Sequence, residues 1–141
     1  MRQIRSLFLI SAIVFLALSV FNVSINAVYA IRGFSDPSYY ATRITEIVPT
    51  GVLTEEDVLF LSKAMTWYYL AVAVESGIGV FFDIFYIQSC RNNFPIKKKL
   101  FITLGILGIV FSQILPGILC IILGAKYGDK SVEEAQSDEN Q

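Results

Sequence analysis

The chain has 141 residues, 55% of them hydrophobic and only 16% charged, with a formal net charge of −1. Near-neutrality leaves no concentrated basic surface, so nucleic acid is not an expected partner. The absence of histidine excludes His-based metal sites and the commonest general base, and two cysteines, Cys90 and Cys120, supply neither a disulfide framework nor a zinc cluster.

Three apolar runs occupy most of the chain: residues 7–30, 64–87 and 100–123. A membrane-spanning helix needs about 20 apolar residues at about 1.5 Å rise each. Each run meets that length. The expected fold class is therefore an all-α membrane protein with three transmembrane helices plus a short outer interfacial helix. The expected organisation is a single membrane domain over residues 1–124 and a tail over 125–141.

The first run follows Arg2 and Arg5. It admits a second reading as a signal peptide cut after Ala30, with a small residue also at Val28. Apolar character continuing through Phe21, Val23, Ile25 and Val28 favours an uncleaved span. Asn22 and Asn26 lie one turn apart within it.

The outer connector covers residues 31–63. Ser35-Asp36-Pro37 has the form of a helix start, a capping side chain followed by proline. Tyr40, Ile44, Ile47 and Val48 then recur at helical spacing until Pro49-Thr50-Gly51. The expected helix lies on the membrane surface or packs onto the ends of the spans. Thr54 with Glu55, Glu56 and Asp57 reads as a second cap, with acids in the favourable first turn. A helix starting there would run through Lys63 into the second span. Trp67, Tyr68 and Tyr69 would form its outer aromatic belt, and Tyr86 would sit near the inner interface.

Within the second run, Glu75 stands out. An acid at mid-membrane costs on the order of 3 kcal/mol or more, so it faces a bundle interior or a cavity, or it is protonated. Ala71, Glu75, Gly79 and Asp83 are four apart and form one ridge. In the third run Gly108, Ser112, Pro116, Cys120 and Gly124 recur at the same spacing, with Gly105 and Gly117 beside them. Such small-residue ridges let helices approach closely. Pro116 is expected to kink its helix. Gln113 lies at about the depth of Glu75. The expected intramembrane polar cluster is Glu75, Gln113 and Asn22, with Asn26 and Ser112 around it. The expected helix-packing residues are Ala71, Gly79, Gly108, Pro116 and Gly124. Asp83, nearer the inner end, is expected within reach of Lys98 or Lys99.

Charge fixes the expected orientation. The N-terminus and the connector 88–99 carry Arg2, Arg5, Arg91, Lys97, Lys98 and Lys99 and no acid, whereas the outer connector and the tail are acidic. The positive-inside rule puts the N-terminus and connector 88–99 in the cytoplasm. Three spans would then put the C-terminus outside, and the expected location is the plasma membrane. Lys97, Lys98 and Lys99 would fix topology and meet lipid headgroups. Cys90 beside them reads as an interfacial thiol, with palmitoylation the alternative. The tail is acidic, polar and expected to be disordered.

No HExxH, GxSxG or phosphate-binding glycine loop is present, and Glu75 and Asp83 are about 12 Å apart along one helix. No enzyme activity and no cofactor are expected. The expected partners are the lipid bilayer and either a membrane-protein partner or further copies of the chain. The leading functional expectation is an accessory or assembly subunit of a membrane complex. The alternative is an oligomeric channel or transporter component using Glu75 as a proton or cation site.

Overall fold

The computed structural model describes residues 2–92 and 95–129, and every element among them is helical. The helices are α1 (Arg2–Ser35), α2 (Ser38–Ile47), α3 (Glu55–Arg91), α4 (Lys98–Val110) and α5 (Ile114–Tyr127). Two segments, Gln3–Ser35 and Glu55–Arg91, are long and apolar enough to cross a membrane. At about 1.5 Å per residue both far exceed the ~30 Å hydrocarbon thickness. Large apolar side chains along them are exposed, among them Ile13, Leu18, Phe21, Val74 and Phe81.

The third apolar run is not one helix. It is broken at residues 111–113 into α4 and α5. At 13 and 14 residues, each is about 20 Å long, short of a bilayer crossing. Gln113 N–H donates to Gly108 C=O at 2.8 Å and Ser112 N–H to Ile109 C=O at 3.1 Å. These are the two bonds of a Schellman C-cap. Its left-handed position is filled by Ser112 at φ 63°. Pro116 explains why the helix does not continue. Inside a helix it would remove the bond to the Ser112 carbonyl and press its ring on that carbonyl. In the first turn of α5, where N–H groups have no intrahelical partner, it costs nothing.

The two short helices fold back on each other along their glycines. A Cβ on Gly105 would lie 2.6 Å from the Gly117 carbonyl oxygen, and one on Gly117 would lie 2.7 Å from the Gly105 carbonyl oxygen. Gly124 gives the same close approach to Phe101 and Ile102. Cys120 Sγ donates to Phe101 C=O at 3.2 Å, and Asp129 N–H donates to Ile96 C=O at 2.9 Å. The chain thus ends the hairpin beside the point where it began. This corrects the expectation that the third run forms one long helix: it is two short helices folded back on each other. Residues 125–127 complete α5. The expected disordered tail falls, from Lys130 onward, outside the described residues.

The helices divide into two compact units, one of residues 1–20 with 76–141 and one of residues 21–75. In the first, Phe8, Ala12, Tyr86, Phe101, Cys120, Leu123 and Tyr127 form a buried core. The Tyr86 ring meets Phe8 at 5.1 Å, and its hydroxyl donates to Leu104 C=O at 2.8 Å. Phe111 at the hairpin tip stacks on Phe82 at 5.8 Å.

In the second unit, α2 begins where Ser35-Asp36-Pro37 predicts. Asp36 Oδ1 accepts from Ser38 N–H at 2.9 Å and from its hydroxyl at 2.6 Å. The helix buries Tyr40 and Ile44. The Tyr40 ring stacks on Tyr69 at 5.4 Å, and its hydroxyl donates to Tyr29 C=O at 2.9 Å. Tyr40 is thus turned onto α1 and α3. Ser62 donates to Pro37 C=O at 2.7 Å. Helix α3 starts with the expected capping box: Thr54 Oγ1 accepts from Asp57 N–H at 3.2 Å, and Asp57 Oδ2 accepts from Thr54 N–H at 3.0 Å.

Candidate functional site

The most unusual chemistry among the described residues is a carboxyl with no solvent exposure on a long apolar helix: Asp83 on α3. It lies one turn after Gly79, so the two share a face. Ser19, buried on α1, donates its hydroxyl to Asp83 Oδ2 at 3.2 Å. Gln113, buried between α4 and α5, brings its Nε2 to 2.9 Å from Ser19 Oγ. The amide is satisfied at both ends when its Nε2 faces the carboxyl: Nε2 then donates to Asp83 Oδ1 at 2.9 Å and Oδ2 at 3.3 Å, and Ser19 donates to Gln113 Oε1 at 2.9 Å.

Backbone geometry holds these three groups. Gln113 ends the Schellman turn through its N–H, and its carbonyl accepts from Gly117 N–H at 2.8 Å as α5 begins. Its side chain is therefore anchored at the hairpin tip. A Cβ on Gly79 would collide with Gln113 Nε2 and come within 3.3 Å of Ser19 Oγ, so glycine there leaves room for the cluster. A Cβ on Gly108 would collide with the Tyr86 hydroxyl. Among the described residues every buried side-chain nitrogen and oxygen has a hydrogen-bond partner.

The expected site residues are distributed differently from the sequence-based cluster. Gln113 meets Ser19 and Asp83. Asn22 is exposed and Asn26 half-buried, and Asn26 Nδ2 donates to Asn22 C=O at 2.7 Å within α1. Glu75 is half-buried. Ser112 sets the left-handed turn next to Gln113. Of the expected packing residues, Gly79, Gly108, Pro116 and Gly124 are buried and Ala71 is exposed. Gly124 closes the hairpin, while Gly79 and Gly108 receive side chains. Lys97, Lys98 and Lys99 are exposed; Asp83 instead meets a hydroxyl and an amide. Ser19 is the residue that sequence reasoning misses. A signal for it exists: Phe8, Ala12, Ser19 and Ala30 are all buried at spacings of 4, 7 and 11, one face of α1.

The arrangement can hold a proton, exchange hydrogen bonds and fix helix register. Among the described residues no group of three His, Cys, Asp or Glu side chains is arranged to hold a metal ion. No protein-family model, curated protein or solved structure matches this chain.

Proposed function

We propose that this chain is a small polytopic integral membrane protein serving as an accessory or assembly subunit of a membrane complex, and that it acts through helix packing. The observation that carries this reading is the Asp83–Ser19–Gln113 cluster, in which a buried carboxyl is engaged by side chains from α1 and from the hairpin turn. A carboxyl committed to interhelical hydrogen bonds sets register and holds the hairpin against the spans. The exposed apolar faces of α1 and α3 then remain for lipid and for a partner.

In this proposal α1 and α3 cross the bilayer and the α4–α5 hairpin enters and leaves it on one side. The basic N-terminus and connector 88–99 face the cytoplasm by the positive-inside rule, and Asp129 joins them there through its bond to Ile96. The plasma membrane is the proposed location. A second reading, an oligomeric channel or transporter component, draws support from Glu75, a half-buried acid in an apolar helix.

Gentle-detergent purification of the full-length chain, followed by mass spectrometry of intact assemblies, tests the two. A stoichiometric second protein is the expected result. A homo-oligomer without a partner would overturn the accessory reading. Reconstituted flux that disappears in Glu75→Gln would then support transport, and flux unchanged in Glu75→Gln would sink Glu75 as the transport site.

A further inference from the structure

We propose that the cleft between the end of α1 and the first third of α3 binds an anionic phospholipid, whose phosphate is held by Lys63 and Trp67. The inference rests on the membrane reading above and adds to it a ligand of stated chemistry.

Gly33 and Phe34, with Pro37, form one wall of the cleft; Ser62, Lys63, Thr66 and Trp67 on α3 form the other. Residues 62 and 66 are one turn apart and buried, and residues 63 and 67 are one turn apart and exposed. The inner pair is already committed. Ser62 donates its hydroxyl to Pro37 C=O at 2.7 Å, and Thr66 donates to Ser62 C=O at 3.0 Å. A Cβ on Gly33 would collide with Thr66 Oγ1, so α1 lies directly on this floor. The donors left for a ligand are the Lys63 ammonium and the Trp67 indole N–H. The Phe34 and Trp67 rings meet edge to face at 5.4 Å and 89°, which holds the indole at the mouth of the cleft.

Charge selects an anion. The lining holds one cation and no acid. Asp36, the acid beside Pro37, lines a separate cleft and accepts from Ser38. A phosphate would therefore meet Lys63 with no carboxylate in the lining to compete. The ammonium of a zwitterionic headgroup would find no acid there to pair with.

Size and surroundings select a lipid over a free anion. The cleft holds about 240 Å³, below the roughly 300–1,000 Å³ of sites that enclose a drug-sized ligand. It takes a headgroup and leaves the chains outside. Those chains have a surface to lie on. Ile31, one turn back from Phe34, is exposed, as are Ala71 and Val74, one and two turns on from Trp67. Polar donors at the cleft and apolar residues toward mid-helix match a ligand with an anionic head and apolar tails. Lysine and tryptophan suit that boundary, since each sets an apolar body in lipid and a polar tip at the interface.

Trp67 is the chain's single tryptophan, so its fluorescence reads occupancy of this cleft. The test reconstitutes the full-length protein in phosphatidylcholine vesicles. A small fraction of the lipid is either phosphatidylglycerol or phosphatidylcholine with brominated chains, which quench a tryptophan they touch. Brominated phosphatidylglycerol is expected to quench with about fivefold higher apparent affinity, the order expected of one lysine near an anionic lipid. Lys63→Gln should bring the two lipids to equal quenching, and Lys63→Arg should keep the preference. Equal quenching in the unaltered protein, or an undiminished preference in Lys63→Gln, would overturn the site and leave the membrane reading standing. Fluorescence that neither lipid quenches would overturn both. Equal quenching together with an emission shift on adding inorganic phosphate would assign the cleft to a free anion and overturn the lipid.

Discussion

Replacing Gly117 by alanine distinguishes a hairpin from a single span by the sign of its effect. The new Cβ would stand 2.7 Å from the Gly105 carbonyl oxygen, 2.8 Å from Ile109 Cγ1 and 3.1 Å from Ile109 N. The isoleucine side chain can rotate away, but the Gly105 carbonyl belongs to the opposite backbone. Ordinary carbon–oxygen contacts between backbones are about 3.3 Å or longer, so α4 and α5 must separate by about 0.6 Å. Overpacking of this kind costs about 1–3 kcal/mol. Alanine recovers about 1 kcal/mol of helix propensity, leaving a net loss of about 1 kcal/mol and up to about 2. In one straight helix the two glycines would instead stand about 18 Å apart, and alanine would stabilise by about 1 kcal/mol. Reversible unfolding in mixed micelles, followed by circular dichroism, measures the difference. Gly105→Ala should behave alike, and the double variant should lose less than the sum, since the first separation already relieves the second clash. If both single variants raise stability, the glycine-closed hairpin is wrong.

Three further predictions address other parts of the fold. With Cys90 and Cys120 removed, Asp129→Cys and Lys98→Cys should react with a membrane-impermeant maleimide from the same face; labelling from opposite faces contradicts the hairpin. Burial, then the neighbouring Tyr69, Tyr39 and Tyr29 phenols, push the Tyr40 phenol up to about 12. The stability it contributes is full below about pH 10, the unfolded value, and falls as pH rises toward 12, because the unfolded chain loses that proton first. An ultraviolet phenolate titration should show one tyrosine ionising late, absent in Tyr40→Phe, and a Tyr40→Phe trace unchanged from wild type would refute it. Thr54→Ala should cost about 1 kcal/mol through loss of the α3 cap, read by amide hydrogen exchange in the first turn. Thr54 also holds the Asp57 carboxyl below the usual carboxylate range through its hydroxyl and backbone bonds. That stabilisation is present above the ordinary carboxylate pKa and is lost as pH falls through the lowered one, so Thr54→Ala should flatten the acid limb of stability.

The local chemistry of the outer connector is legible because its signals are short-range. Asp36, Pro37, Pro49 and the Thr54–Asp57 pair act within four residues of themselves, and both helix starts follow from them. The long runs are legible from length and apolarity. The break in the third run is not, because its turn carries no glycine. Ser112 takes the left-handed position that glycine usually fills, and Pro116 fits a kinked helix as well as a helix start. The small residues at 105, 117 and 124 read as a surface for another span, whereas they face each other across a fold in their own run. The same misplacement moves the acid. Depth matching along a traversing helix pairs Gln113 with Glu75, but a hairpin tip brings Gln113 to Asp83.

The bond between Asp129 and Ile96 bears on how such a chain is made. A third crossing would require every charge after Leu123 to pass through hydrocarbon during insertion, including Lys126, Asp129, Lys130, Glu133, Glu134, Asp138 and Glu139. Each charged side chain held at the bilayer centre costs about 3 kcal/mol. In the proposed membrane arrangement, a hairpin that begins and ends on one face would spare Lys126 and Asp129 that passage, and its polar tip would meet Ser19 and Asp83. In that proposed arrangement α4 and α5 would enter as one hairpin, after the two long helices that carry Ser19 and Asp83.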